Sequence, residues 1–469
     1  MAERADEPVV VPRARGSRAL AVLAALLAVA LACAGTAWWR EHGQARDRER
    51  VALAHRLALH AAELRGDDPA KARDLGLAAV GLHTDDRTRA GLTDTLLLGR
   101  REDLWLRDFG GARHAELSGD GRVGLVAGDG KAEVWRLGSG RAVVLDGPEG
   151  AMAALALSHD GRTALTAVDD GATTVWDLTD PAHPARRATL RGVAGKGSLD
   201  DVQAVAVSRD GRVAAVADFA GNLLVWDLTV RDHPVRRSVT AVHDSRTEDL
   251  DLSGDGRTAV TTSEDGPVTI WNLADPAHPV KAAELTPAIY TGTAAALSGD
   301  GRVLVVARRY PGADWRSQAE VWTLGDPARP ALTAVIGMPP ADMLDVALTP
   351  DGGTALLAGS NGNGSLWDLS VPSRPVRLAG LRGYPSEVRG VALSDGARSA
   401  LLAAPESTTF SLWDLHDLRQ VATGPERDLC AHGSQTLSRT DWDRYTDGAD
   451  PSDYGGSAGG GDVSLCSLR

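Results

Sequence analysis

The hydrophobic pattern takes three forms along the chain. From Ala19 to Trp39 the run ALAVLAALLAVALACAGTAWW is uncharged and apolar on every side. A helix of these 21 residues spans about 31 Å at ~1.5 Å per residue, roughly the thickness of a bilayer core. Trp38 and Trp39 close it where amphipathic rings favour the headgroup layer, and Arg40 follows. The pattern predicts a transmembrane helix over 19–39 behind a polar leader, 1–18. A cleaved signal peptide has a shorter apolar core. A lipoprotein signal would use ALAC before Cys33, but Ala30 stands where a branched residue is usual. Arginines flank the run on both sides, so charge barely sets its orientation. The short leader favours an inward N-terminus and an extracytoplasmic bulk.

Between 40 and 102 the period becomes 3.6. Val51, Ala54, Leu57, Ala61 and Leu64 form one apolar stripe. Asp68 before Pro69 is a helix start, the carboxylate accepting an orphan backbone N–H and the ring fitting the first helical position. Asp85 and Asp86 mark a third start, with Leu92, Leu96 and Leu97 on its apolar face. This α-helical connector is expected to act as a spacer between membrane and bulk. His55 and His60 are five apart, off a shared face, and are expected to be solvated.

From 103 to 424 the period is 2, broken by turns, and the pattern recurs seven times. Each copy ends in a Trp-centred tetrapeptide, at Trp135, Trp176, Trp226, Trp271, Trp322, Trp367 and Trp413. This accounts for a chain with 12 Trp and only 3 Phe. Upstream of each lies a turn of the type LSGDGR, carrying Asp120, Asp160, Asp210, Asp255, Asp300, Asp351 and Asp395. Asp-Gly closes hairpins because glycine accepts positive φ. A second signature follows the Trp: TDPAHPARR, TVRDHPVRR, ADPAHPVKA, GDPARPALT and SVPSRPVRL. It places His183, His233 and His278 in exposed turns. Each repeat therefore holds four antiparallel strands, and such sheets must stack radially to bury both faces. The repeat Trp residues, Trp226 among them, are expected between adjacent sheets.

The spacing, the Asp-Gly turn and the VWDL strand resemble the WD-repeat β-propeller family over about 103–424. The resemblance implies an all-β, seven-bladed propeller of four-stranded blades. The Gly-His pair that opens such a repeat is missing from all seven, with Gly192 and Gly383 near its place, so the hydrogen-bonded brace that this His shares with the Trp should be incomplete. The segment from Asp103 to Gly111 looks like a lone outer strand that completes the blade of Trp413 and removes the exposed edges. The plan of span, short helices and propeller also resembles actinobacterial membrane-anchored WD-repeat proteins and the C-terminal part of WD-repeat signal-transducing NTPases. Residues 425–469, with Cys430, Trp442, Tyr445, Tyr454 and Cys466, look like the tail that follows such propellers; whether the two cysteines bond stays open, and the acid-rich DWDRYTDGAD reads as solvated.

Net charge is −13, which argues against a nucleic-acid binder. Three cysteines rule out a disulfide-stapled scaffold and a multi-cysteine zinc domain. Only four lysines stand against 46 arginines, a bias of GC-rich bacterial genes. Lys196 lacks the glycine six residues earlier that a phosphate loop needs, because Leu190 is there. Ser457 lies in a formal Gly-x-Ser-x-Gly without a flanking strand and helix. No catalytic, cofactor or metal site is expected.

The function expected from these readings is a membrane-anchored, non-catalytic scaffold that binds proteins or peptides. The alternatives are a sensor module working with a separately encoded NTPase or protease, and a propeller enzyme. One insertion, RRYPGADWRSQ, lengthens the fifth repeat. Arg308, Arg309, Tyr310, Trp315 and Arg316 make it a candidate partner-binding loop, since Tyr, Trp and Arg dominate interface hot spots.

Overall fold

The computed structural model describes residues 44–107, 111–128, 130–147, 150, 152–168, 171–191, 202–243, 246–263, 267–285, 291–309, 317–337, 343–431, 435–456, 458–459 and 461–468. The apolar run 19–39, Lys196, Ser457, Tyr310, Trp315 and Arg316 lie outside them. Among the described residues no helix is long and apolar enough to cross a membrane.

Seven four-stranded antiparallel sheets follow one another, spanning 114–145, 152–191, 202–241, 247–285, 291–337, 343–382 and, for the seventh, 390–414 together with 101–105. They are blades 1 to 7 of a propeller. In six of them the four strands are consecutive. In blade 7 the outermost strand is β1 (Arg101–Trp105), which pairs antiparallel with Thr409–Asp414, Arg101 facing Trp413 and Trp105 facing Thr409. The first strand of the ring thus closes the last blade. The second strand of a blade has sheet on both edges and a neighbouring blade on each face. Thr163–Val168 is accordingly buried at every position, and such a site admits the Ala and Val that fill these strands.

The turns between first and second strands share one construction. In blade 1 the Ser118 hydroxyl donates to Asp120 Oδ1 at 2.8 Å, Asp120 Oδ1 accepts the Arg122 N–H at 3.0 Å, and Gly121 sits at φ +70°. Blades 2 to 6 repeat it with Asp160, Asp210, Asp255, Asp300 and Asp351. Blade 7 does not. Its Asp395 directly follows Ser394, one place early, and Ala397 takes the positive-φ position at 51°. Asp395 is therefore not a turn aspartate of the repeat, correcting the expectation.

Three helices precede the ring: α1, helical over 44–64, α2 (Pro69–Leu82) and α3 (Asp86–Leu97). Asp68 caps α2 by accepting the Lys71 N–H, and Asp85 caps α3 in a capping box with Thr88. The C-terminal segment is not a solvated tail. Its helices α4 (Leu418–Thr423), α5 (Pro425–Ala431) and α6 (Arg439–Thr446) and a small three-stranded sheet fold back towards α1–α3. Leu53, Leu57, Leu75 and Leu92 share a core with Leu437, Trp442, Val463, Leu465 and Leu468. Trp442 is fully buried within the supposed acidic tail and donates its N–H to the Ala449 carbonyl. Cys430 and Cys466 form a disulfide across this module. His55 is not simply solvated: its Nε2 lies 2.7 Å from Asp85 Oδ2.

The helical module is fastened to the ring. Asp94 of α3 is buried and accepts the Gly380 N–H from the outer strand of blade 6. Arg65, at the end of α1, and Arg377 approach the same carboxylate at 3.5 and 3.2 Å.

Candidate functional site

The first strands of all seven blades line an axial channel of about 370 Å³. Its wall carries carboxylates that the alternation of strand side chains turns inward: Glu116 from blade 1, Asp249 and Asp251 from blade 4, Asp345 from blade 6. Three of them join neighbouring blades. Asp249 accepts the N–H of Leu250 and of Ala295, both at 2.8 Å. Asp251 does the same with Leu252 and Leu297 at 2.7 Å, and Asp345 with Val346 and Val391 at 2.8 Å. Each carboxylate thus satisfies two backbone donors that a blade's innermost edge would otherwise leave unpaired.

Enclosure in the ring disfavours charge on these groups. Burial pushes Asp249 up to about 6 and Asp251 to about 7. Asp345 rises to about 8 through burial and the nearby Asp249. Glu116 is also raised, by burial and by Asp345, Asp251 and Asp249. His114 at the same wall is pushed down to about 4 by burial, Arg113 and Arg389. Among the described residues no group of three or more His, Cys, Asp or Glu side chains is placed to hold a metal ion.

One end of the channel is drawn together by the residues that follow the turn serines. Their backbones form a belt. The Asp395 N–H donates to Gly119, Gly119 to His159, Arg209 to Gly254, Gly254 to Gly299 and Gly299 to Pro350, at 2.8–3.0 Å. Across this mouth His159 Nε2 lies 2.9 Å from Asp395 Oδ2, and Arg209 Nη2 lies 3.5 Å from the same oxygen. Gly119 makes the contact possible, since a Cβ there would stand 2.1 Å from the His159 ring. Blades 2, 3 and 7 therefore meet over the axis at this end. The signal in the sequence is the one-residue offset of LSDGAR, which places Asp395 directly after Ser394.

The repeat tryptophans divide into two groups. Trp135, Trp176, Trp271 and Trp413 are buried, while Trp226, Trp322 and Trp367 are half-buried. Trp176 and Trp271 donate to Thr166 and Thr261 at 2.9 and 3.0 Å. In blade 4 the brace is complete after all, because His243 Nε2 reaches Thr261 Oγ1 at 2.8 Å without a preceding glycine. In blade 7 Tyr384, after Gly383, takes the histidine's place and bonds Ser411 Oγ at 2.9 Å. Sequence reasoning missed both by requiring the Gly-His pair.

Arg308 does not belong to the exposed loop. It lies one residue before the end of the strand Val303–Arg309, is fully buried, and pairs with Glu320 Oε2 at 2.8 Å, an oxygen that also accepts the Trp322 N–H at 3.0 Å. Arg309 is the last residue of that strand.

A solved structure of the mitotic checkpoint complex contains a chain that superposes on this one with a TM-score of 0.56 and 17% identity, covering 67% of this chain and 91% of that one. The fold is a seven-bladed β-propeller. No family model matches the chain. Among curated proteins, the NAD(+) hydrolase ApTIR of an Actinoplanes species is 37% identical over 140 residues, 30% of this chain and 14% of the relative. The propeller chain thus matches only about a seventh of that relative's length.

Proposed function

We propose that this protein is a membrane-anchored recognition module whose propeller binds proteins or peptides without catalysis. The observation that supports it most is the closed ring itself: seven blades, joined by β1, by the carboxylate clasps and by the backbone belt, hold two loop-bearing ends as preformed surfaces. The apolar run 19–39 supports anchorage. The Cys430–Cys466 disulfide supports an extracytoplasmic propeller, because disulfides persist in oxidising compartments. The insertion with Arg309, Tyr310, Trp315 and Arg316 is part of this proposal as a partner contact, on its composition.

The test is photo-crosslinking from detergent-solubilised full-length protein, with partner peptides mapped by mass spectrometry. Crosslinks should fall on blade ends and the protein should resist carbonate extraction. Recovery in the soluble fraction would remove the anchor, and crosslinks confined to the helical module would remove the propeller as the binding part. A second reading, a sensor whose effector is encoded separately, is favoured by the 140-residue stretch that is 37% identical to part of an NAD(+) hydrolase. It predicts that a captured partner carries the catalytic activity.

A further inference from the structure

Four repeats end in Trp-Asp-Leu, at Asp177, Asp227, Asp368 and Asp414. Between blades 2 and 3 the gap beside such an aspartate is filled. Asp177 is held by Arg187 of its own blade at 2.7 Å and by Arg231 from the turn of blade 3 at 3.3 Å. Arg187 in turn faces Asp232 at 3.7 Å. Behind this group Trp176 is buried and its N–H is bonded to Thr166.

The gap between blades 3 and 4 has the same frame with its filling absent. Asp227 keeps Arg237 and accepts the Thr229 N–H at 2.8 Å. In the register set by His233-Pro234 and His278-Pro279, however, Arg231 and Asp232 are replaced by Pro276 and Ala277. A cavity of about 260 Å³ opens here, walled by Asp210, Arg212, Trp226, Asp227, Asp255 and Pro276. Val216 stands ten residues before Trp226, where Thr166 stands before Trp176, so the half-buried Trp226 N–H finds no acceptor among the described residues. Arg236 lies over the ring face at 5.9 Å, leaving the indole edge for a guest. Hydrogen bonds from Thr229 and Arg237 hold Asp227 down at about 2, so it is an anion at neutral pH. Between blades 6 and 7 the molecule shows the filling arriving from outside the repeat: Arg419 of α4 approaches Asp368 at 3.5 Å and bonds the Gly353 carbonyl at 2.8 Å. Asp414, the fourth case, is exposed and pairs with His416.

We propose that the cavity between blades 3 and 4 is a binding site for an arginine side chain of a protein or peptide partner, favoured where aspartate follows the arginine. The guanidinium takes the place beside Asp227 that Arg231 takes beside Asp177. The partner's aspartate meets Arg237 as Asp232 meets Arg187, and a partner carbonyl accepts the Trp226 N–H. Three carboxylates against two arginines in the lining give the matching charge. The inference rests on the recognition reading and names the partner's chemistry.

The test uses full-length protein in detergent and a fluorescent hexapeptide, Val-Arg-Asp-His-Pro-Val, which copies residues 230–235. Anisotropy should show saturable binding. It should weaken at least about tenfold when alanine replaces the peptide's arginine, and similarly for Asp227→Asn, the scale of one charge-assisted pair. Pro276→Arg should fill the cavity from within the chain and abolish binding while circular dichroism stays unchanged, which separates occupancy from misfolding. Equal binding of the arginine and alanine peptides, no binding to the unaltered protein, or full binding by the folded Pro276→Arg variant would overturn the site. Any of these would leave crosslinking at the other blade ends untouched, so the broader recognition reading fails or stands separately.

Discussion

A single-residue offset separates Asp395 from the six turn aspartates and changes its work. The six hold their own turns; Asp395 reaches His159 and Arg209 across the axis. The same offset forces Ala397 to φ 51°, where a Cβ is unfavourable by roughly 1 kcal/mol. Ala397→Gly should therefore raise the unfolding free energy by up to about 1 kcal/mol, read from urea denaturation. The tryptophans also diverge at this scale. Trp413 is 1% exposed with an N–H that finds no acceptor among the described residues. Trp413→Ala should cost about 3–5 kcal/mol, and Trp413→Phe much less, because it removes a buried unpaired donor. Trp226→Ala should cost less than Trp413→Ala, since Trp226 is half-buried; equal losses in thermal unfolding would contradict that difference.

At the scale of elements, α3 is more than a spacer. Asp94 accepts a backbone N–H from the outer strand of blade 6 and neutralises two arginines. Asp94→Ala leaves Arg65, itself 6% exposed, without its anion. Breaking a buried pair in this way costs about 3–5 kcal/mol. The expected outcome is a lower melting temperature together with faster proteolysis of α1–α3. The disulfide ties α5 to the residues after the small sheet. On a non-reducing gel the protein should migrate faster than after reduction, and Cys430→Ser should remove the difference.

For the whole molecule, the channel acids set a pH dependence. Asp251 at about 7 and Asp345 at about 8 bind protons in the folded ring that their unfolded counterparts, near 3.8, have already released. The folded state then holds more protons between roughly pH 4 and 8, so stability is fully present below the unfolded value and falls as pH rises through the folded ones. His114, pushed down to about 4, works oppositely, but only below its ordinary 6.5. From pH 6.5 to 8.5 the carboxylates act unopposed. The melting temperature should fall over that interval, and Asp345→Asn should flatten the decline. A melting temperature that rises across the interval would contradict the enclosed channel.

The sequence by itself determined the repeat. Trp spacing, Asp-Gly turns and period-2 alternation are local signals: each turn is closed by residues two to five apart, as Ser118, Asp120, Arg122 and Val123 show. They suffice for seven four-stranded blades. Tertiary structure decided what depends on residues distant in the chain. Asp395 and His159 meet 236 positions apart, Asp249 and Ala295 meet 46 apart, and Trp442 is buried because the C-terminal segment returns to pack on α1–α3. No local period encodes such meetings. Arg308 shows the reverse error: its run of charged and aromatic neighbours reads as a surface loop, yet a strand carries it inward to a carboxylate twelve residues on. The cavity beside Trp226 lies between these cases. Pro276 in place of Arg231 is legible in the repeat alignment, but that it empties a gap follows only once blades 3 and 4 stand side by side.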